Sequence, residues 1–97
     1  MRFIISNVGD NMNTVMRRIG YHPIKWSDKG ELNCVKPLMG QDYPRFHAYV
    51  KEEGTTLTFN LHLDQKRPSY GNETAHSGDY EGETVREEAK RIQDLLR

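Results

Sequence analysis

Two of the chain's four histidines, His47 and His62, share one segment with an arginine, a tyrosine, an asparagine and an aspartate. The segment is RFHAYVKEEGTTLTFNLHLD, residues 45–64. An unperturbed imidazole titrates at about pH 6.5, so it takes or gives a proton at neutral pH. RNA carries its own nucleophile, the 2′-hydroxyl, and its cleavage needs a base, an acid and a cation near the phosphate. His47 and His62 suit the first two roles and Arg45 the third, with no metal. Tyr49, Asn60, Lys66 and Arg67 are the further candidates for contact with substrate. The same residues suit metal chemistry differently. His62 and Asp64 project from one strand face, His47 supplies a third ligand, and His76 on a later loop a fourth. Mixed His/Asp sets hold zinc and other first-row divalent ions, although no HExxH or paired CxxC spacing is present. A third reading needs no chemistry: a polar face bearing tyrosines that docks a protein or a nucleic acid.

These roles require the residues to share a surface, and the alternation of side chains along a strand supplies it. Residues 45–64 read as a β-hairpin with its turn at Glu53-Gly54. In that register Phe46 faces Leu61, Ala48 faces Phe59 and Val50 faces Leu57, all apolar pairs. The opposite face then carries Arg45, His47, Tyr49, Lys51, Thr56, Thr58, Asn60, His62 and Asp64. Arg45 faces His62, His47 faces Asn60, and the two histidines are diagonal neighbours, ~7 Å apart. His47 is expected to point outward.

Around the hairpin, Asp10-Asn11 supplies capping side chains for a helix over about 11–19 with Met12, Val15, Met16 and Ile19 on one side, and Gly20 stops it. Residues 24–27 and 32–38 read as strands about the turn Ser27-Asp28-Lys29-Gly30. Residues 1–6 are a short strand or an untethered start. Val85, Ala89, Ile92 and Leu96 form the apolar stripe of a last helix, and Thr84 with Glu87 fits a capping box. The polar stretch from Gln65 to Gly82 reads as a long loop, a candidate lid over the polar face. Trp26 and Cys34 are expected in the core. The fold class that follows is α+β, an α-β-β-β-α order. Its antiparallel sheet has three or four strands and two helices on one face, in a single domain spanning 1–97.

Composition narrows the classes. The formal net charge is zero, so there is no bulk basic signature of a nucleic-acid binder. A single cysteine permits no internal disulfide and fits a reducing, cytoplasmic setting. The apolar run Phe3-Ile4-Ile5 is too short for a membrane span, so no membrane partner is expected.

The element order resembles that of double-stranded-RNA-binding domains and of the HicA family of mRNA interferases. Arg17-Arg18-Ile19-Gly20-Tyr21 is similar to that family's basic-Gly-aromatic turn. Arg45-Phe46-His47 stands where a Gly-Ser-His motif opens a central strand, Leu61-His62 resembles the end of the next, and Gly82-Glu83-Thr84-Val85 the start of the last helix. Pro44-Arg45-Phe46 departs from the motif, and the last helix is acidic. The resemblance implies RNA binding, metal-independent endoribonuclease activity through His47, no cofactor, and a cognate antitoxin as protein partner. LHLDQK and the HSG-x-Y-x-G pattern also resemble small uncharacterised bacterial proteins, which implies no function.

Overall fold

A computed structural model describes residues 1–65, 78–79 and 82–97, with residues 78–79 described by backbone alone. Its elements run β1 (Arg2–Ile5), α1 (Met12–Ile19), β2 (His22–Trp26), β3 (Glu31–Pro37), β4 (Arg45–Glu53), β5 (Thr56–Asp64), β6 (Gly78–Asp79) and α2 (Glu83–Leu96). The class is α+β, as expected. The sheet is larger than expected, with five antiparallel strands in the order β1-β5-β4-β3-β2 and β6 also paired to β5. The start of the chain is tied down: β1 pairs with β5, Phe3 opposite Phe59, their rings stacked 5.0 Å apart.

Local chemistry explains most boundaries. Asn11 Oδ1 accepts from the Thr14 N–H at 2.9 Å, which satisfies one of the unpaired donors at the start of α1. Gly20 ends α1 with φ of 82°, a left-handed conformation that costs glycine little. Ser27 Oγ accepts from the N–H groups of Lys29 and Glu31 and so shapes the β2–β3 turn. The capping box at Thr84 does not form. Gly82 is the N-cap of α2 and contributes no side-chain hydrogen bond, because the helix starts one residue before Thr84.

The β4–β5 hairpin differs instructively from expectation. Glu53 pairs with Thr56, so the two-residue turn is Gly54-Thr55, not Glu53-Gly54. Gly54 has φ of 62° and Thr55 has negative φ, the signature of a type II′ turn with glycine first. Each residue of β5 therefore meets a partner two positions from the expected one. A two-residue shift preserves the face of every side chain, whereas one residue would invert it. Phe46, Ala48, Val50, Leu57, Phe59 and Leu61 are all buried on one face, together with Leu32 and Cys34 of β3. They form one cluster with the buried stripes of both helices. Burial pushes the Cys34 thiol up to about 12, so it is an inert part of this core.

Trp26 sits otherwise than expected, and Glu88 is a buried charge for which the sequence offered no signal. Trp26 is 56% exposed, because β2 is the edge strand and every one of its residues is exposed. Glu88, on the acidic helix, is buried. It accepts from the Tyr21 hydroxyl at 2.7 Å and from Arg91, which also donates to the Ile19 carbonyl at the end of α1. The buried charge is paired, as burial requires, and the pairing joins the helices. The expected loop after Asp64 also contains structure, since Gly78–Asp79 pairs with Leu63 and Asp64. Among the described residues, no helix is long and apolar enough to cross a membrane.

Phe59 is fully buried at the centre of this face. Phe59→Ala removes a large side chain and leaves a cavity, so it should cost ~3–5 kcal/mol in a denaturant titration. A loss below ~1 kcal/mol would contradict the face assignment.

Candidate functional site

Away from the helices, the side chains of β4 and β5 meet in successive cross-strand pairs. Arg45 lies opposite Asp64, His47 opposite His62, and Tyr49 opposite Asn60. The true register therefore makes the histidines direct neighbours where diagonal ones were expected, with ring centroids 4.7 Å apart. Asp64 lies on the same strand face as His62, two residues on. Its two carboxylate oxygens divide the histidines between them: Oδ2 is 3.0 Å from His47 Nδ1 and Oδ1 is 2.9 Å from His62 Nε2. Arg45 Nε donates to Oδ2 over a longer 3.4 Å, and its guanidinium lies 4.5 Å above the centre of the Tyr43 ring.

His47 does not point freely outward. It is on the polar face yet only 8% exposed, packed in one cluster with the rings of Tyr49 and His62. Both of its ring nitrogens are engaged, Nδ1 by Asp64 and Nε2 by Asn33 Oδ1 of the neighbouring strand β3. Val35, directly opposite His47 on β3, is also buried and gives the cluster an apolar flank.

The electrostatics centre on Asp64. Burial alone would raise its pKa, but hydrogen bonds and charge from His47 and His62 outweigh burial and hold it well below the usual carboxylate range. At neutral pH the group is a carboxylate. A carboxylate faces a bare imidazole lone pair only at a repulsive cost, so something positive must lie between Asp64 and each histidine. That is either the ring's own N–H or a cation. Asn33 can serve both cases. Its oxygen accepts from an Nε2–H, and its NH2 donates to a bare Nε2 when the amide turns over.

The chemistry possible here is proton transfer or cation binding. One donor atom from each of His47, His62 and Asp64 lies within 4.8 Å of the others, the geometry of a three-ligand metal centre. Beside His62 opens a cavity of about 250 Å³ lined by Met1, Tyr49, Asn60, Leu61 and His62.

Of the residues expected in the site, Arg45, His47, Tyr49, Asn60, His62 and Asp64 thus share one patch. Lys66, Arg67, His76 and most of the candidate lid lie outside the described residues. Asn33 and Tyr43 were missed. Asn33 falls between Leu32 and Cys34, so alternation alone puts it on the polar face; its pairing to His47 needed the β3–β4 register, for which the sequence has no comparable signal. Comparison with protein-family models, curated proteins and solved structures finds no match for this chain, so geometry alone carries the functional argument.

Asp64 generates a pH prediction. Its pKa in the folded state is depressed, so its contribution to stability is complete above the unfolded value of about 3.9 and is lost as pH falls through the folded value. Unfolding of chelator-treated protein, followed from pH 7 to pH 2, should show Asp64→Asn losing less stability below about pH 4 than the parent. Parallel curves would contradict the assigned ion pairs.

Proposed function

We propose that this chain is a divalent-metal-binding domain whose His47–His62–Asp64 centre supports metal-assisted hydrolysis. The observation that carries this reading is the convergence of the three donor atoms within 4.8 Å. Zinc bonds to nitrogen and oxygen run about 2.0–2.2 Å, so small side-chain rotations bring three such donors around one ion. Asp64 is already ionised and needs no costly deprotonation to act as a ligand. Asn33 Oδ1 beside Nε2 accepts the second ring N–H of His47 and leaves Nδ1 bare towards the ion. Such partners commonly set the tautomer of a metal-bound histidine. Three protein ligands leave a coordination position free, which separates a catalytic site from a closed structural one. A bound ion there supplies Lewis acidity and makes a coordinated water easier to deprotonate.

The second reading is metal-free RNA cleavage, with His47 and His62 as proton-transfer groups and Arg45 on the phosphate. The 4.7 Å approach of the two rings favours it. The engagement of both His47 nitrogens weighs against it, since a general base must reach the proton it removes. An RNA or a cognate antitoxin as partner has only the resemblance in its support.

Metal and chelator distinguish the readings. A ligand at 100 times its Kd stabilises a fold by about 2.7 kcal/mol, which raises Tm by roughly 10 °C or more in a domain of this size. Zinc should give the wild-type protein such a shift, reversed by EDTA and absent in Asp64→Ala and His62→Ala. Equal Tm with and without zinc, manganese or cobalt would overturn the proposal. RNA cleavage that persists in EDTA and falls ~10²–10⁴-fold in His47→Ala would establish the metal-free reading instead.

A further inference from the structure

Arg45 is held beside the proposed ion without being consumed by it. Its Nε lies 3.4 Å from Asp64 Oδ2, an atom of a metal ligand, and its guanidinium rests on the Tyr43 ring. Neither contact uses the terminal Nη1 and Nη2 groups, which have no hydrogen bond to any described residue. These two groups form the fork that grips planar or tetrahedral oxyanions. An ion bonded to Oδ2 at about 2.1 Å lies within roughly 6 Å of Arg45 Nε, a gap that one tetrahedral oxyanion spans.

Charge points the same way. A divalent ion held by one carboxylate and two neutral imidazoles leaves one net positive charge, and Arg45 raises it to two. Both Arg45 and Asp64 have side chains only about one-fifth exposed. Concentrated positive charge in a half-buried site attracts a compensating anion. The positive charge is cancelled in full by a dianion and in half by a monoanion.

We propose that the site takes a phosphate monoester, one phosphate oxygen on the ion and another on the Arg45 fork, with Tyr43 steadying the guanidinium. This rests on the metal-binding reading and names the substrate class of that centre. Arg45 is thereby a specificity residue for dianionic phosphate over diesters and carboxylates.

The test is calorimetry with cobalt(II) and phenyl phosphate, in wild type, Arg45→Gln and Arg45→Lys, with methyl phenyl phosphate and benzoate as monoanionic probes. Wild type should bind phenyl phosphate at least about 10-fold more tightly with cobalt than without it, and should prefer it to both monoanions. By reciprocity, phenyl phosphate should tighten cobalt binding by the same factor. Arg45→Gln should bind cobalt as tightly as wild type or more so, since a neighbouring positive charge is gone. Its affinity for phenyl phosphate should fall about 10–100-fold, the range of a lost charge-assisted pair. Arg45→Lys keeps the charge but not the fork, so it should lose an intermediate amount, and it carries the test if the glutamine variant does not fold. Cobalt binding with phenyl phosphate affinity equal in all three proteins, or with no preference over the monoanions, overturns this inference and leaves the metal reading standing. Absence of cobalt binding in wild type overturns both.

Discussion

Gly54 and Thr55 close the β4–β5 hairpin in two residues, and the rest of the molecule depends on that closure. The turn sets Glu53 against Thr56, and every later pair follows by counting. One face becomes Phe46, Ala48, Val50, Leu57, Phe59 and Leu61, which only helices with apolar stripes can cover. The other becomes the succession Arg45–Asp64, His47–His62 and Tyr49–Asn60. Core and candidate site are two sides of one register. A slip of β5 by a single residue would turn His62 to the core face, away from His47, and expose Phe59 at the same time.

On the polar face, Asp64 is the hub. Three cationic or proton-bearing groups converge on one carboxylate, and no buried side-chain nitrogen or oxygen among the described residues lacks a partner. Leaving such a group unpaired would cost on the order of 1–3 kcal/mol. That completeness explains how a half-buried set of ionisable groups coexists with a small domain's narrow stability margin. It also has a functional side. Each histidine meets Asp64 through a nitrogen that carries either a proton or a metal ion. The cluster is therefore organised before any ligand arrives, and an ion replaces protons without rebuilding the face. Asn33 completes the arrangement by matching whichever state His47 adopts.

What could be read from the residues alone followed the physics of each signal. Alternation is robust, because its period of two survives a register error of two residues; the polar and apolar faces were therefore legible although the turn was misplaced by one position. The same error turned direct His47–His62 neighbours into diagonal ones and hid how closely they converge. Helix α1 was legible because Asn11, Gly20 and the spacing of Met12, Val15, Met16 and Ile19 agree. The sequence did not reveal β1 as a paired strand, because Arg2–Ile5 is too short to show alternation against β5. Trp26 was misjudged because burial depends on position within the sheet, and an edge strand exposes even tryptophan. The burial of Glu88 could not be read from the sequence, because its partners, Tyr21 and Arg91, come together only once the helices pack. Asn33 was missed for the same reason: it reaches His47 across a strand boundary.

The most direct measurement of the central claim is long-range ¹H–¹⁵N imidazole NMR on the folded protein during titration with zinc. On saturation, His47 Nδ1 and His62 Nε2 should lose any attached proton and shift together. His47 Nε2 keeps its proton towards Asn33, and the exposed His22 is unchanged. Retention of both N–H groups facing Asp64 in excess zinc would contradict a metal centre at this site.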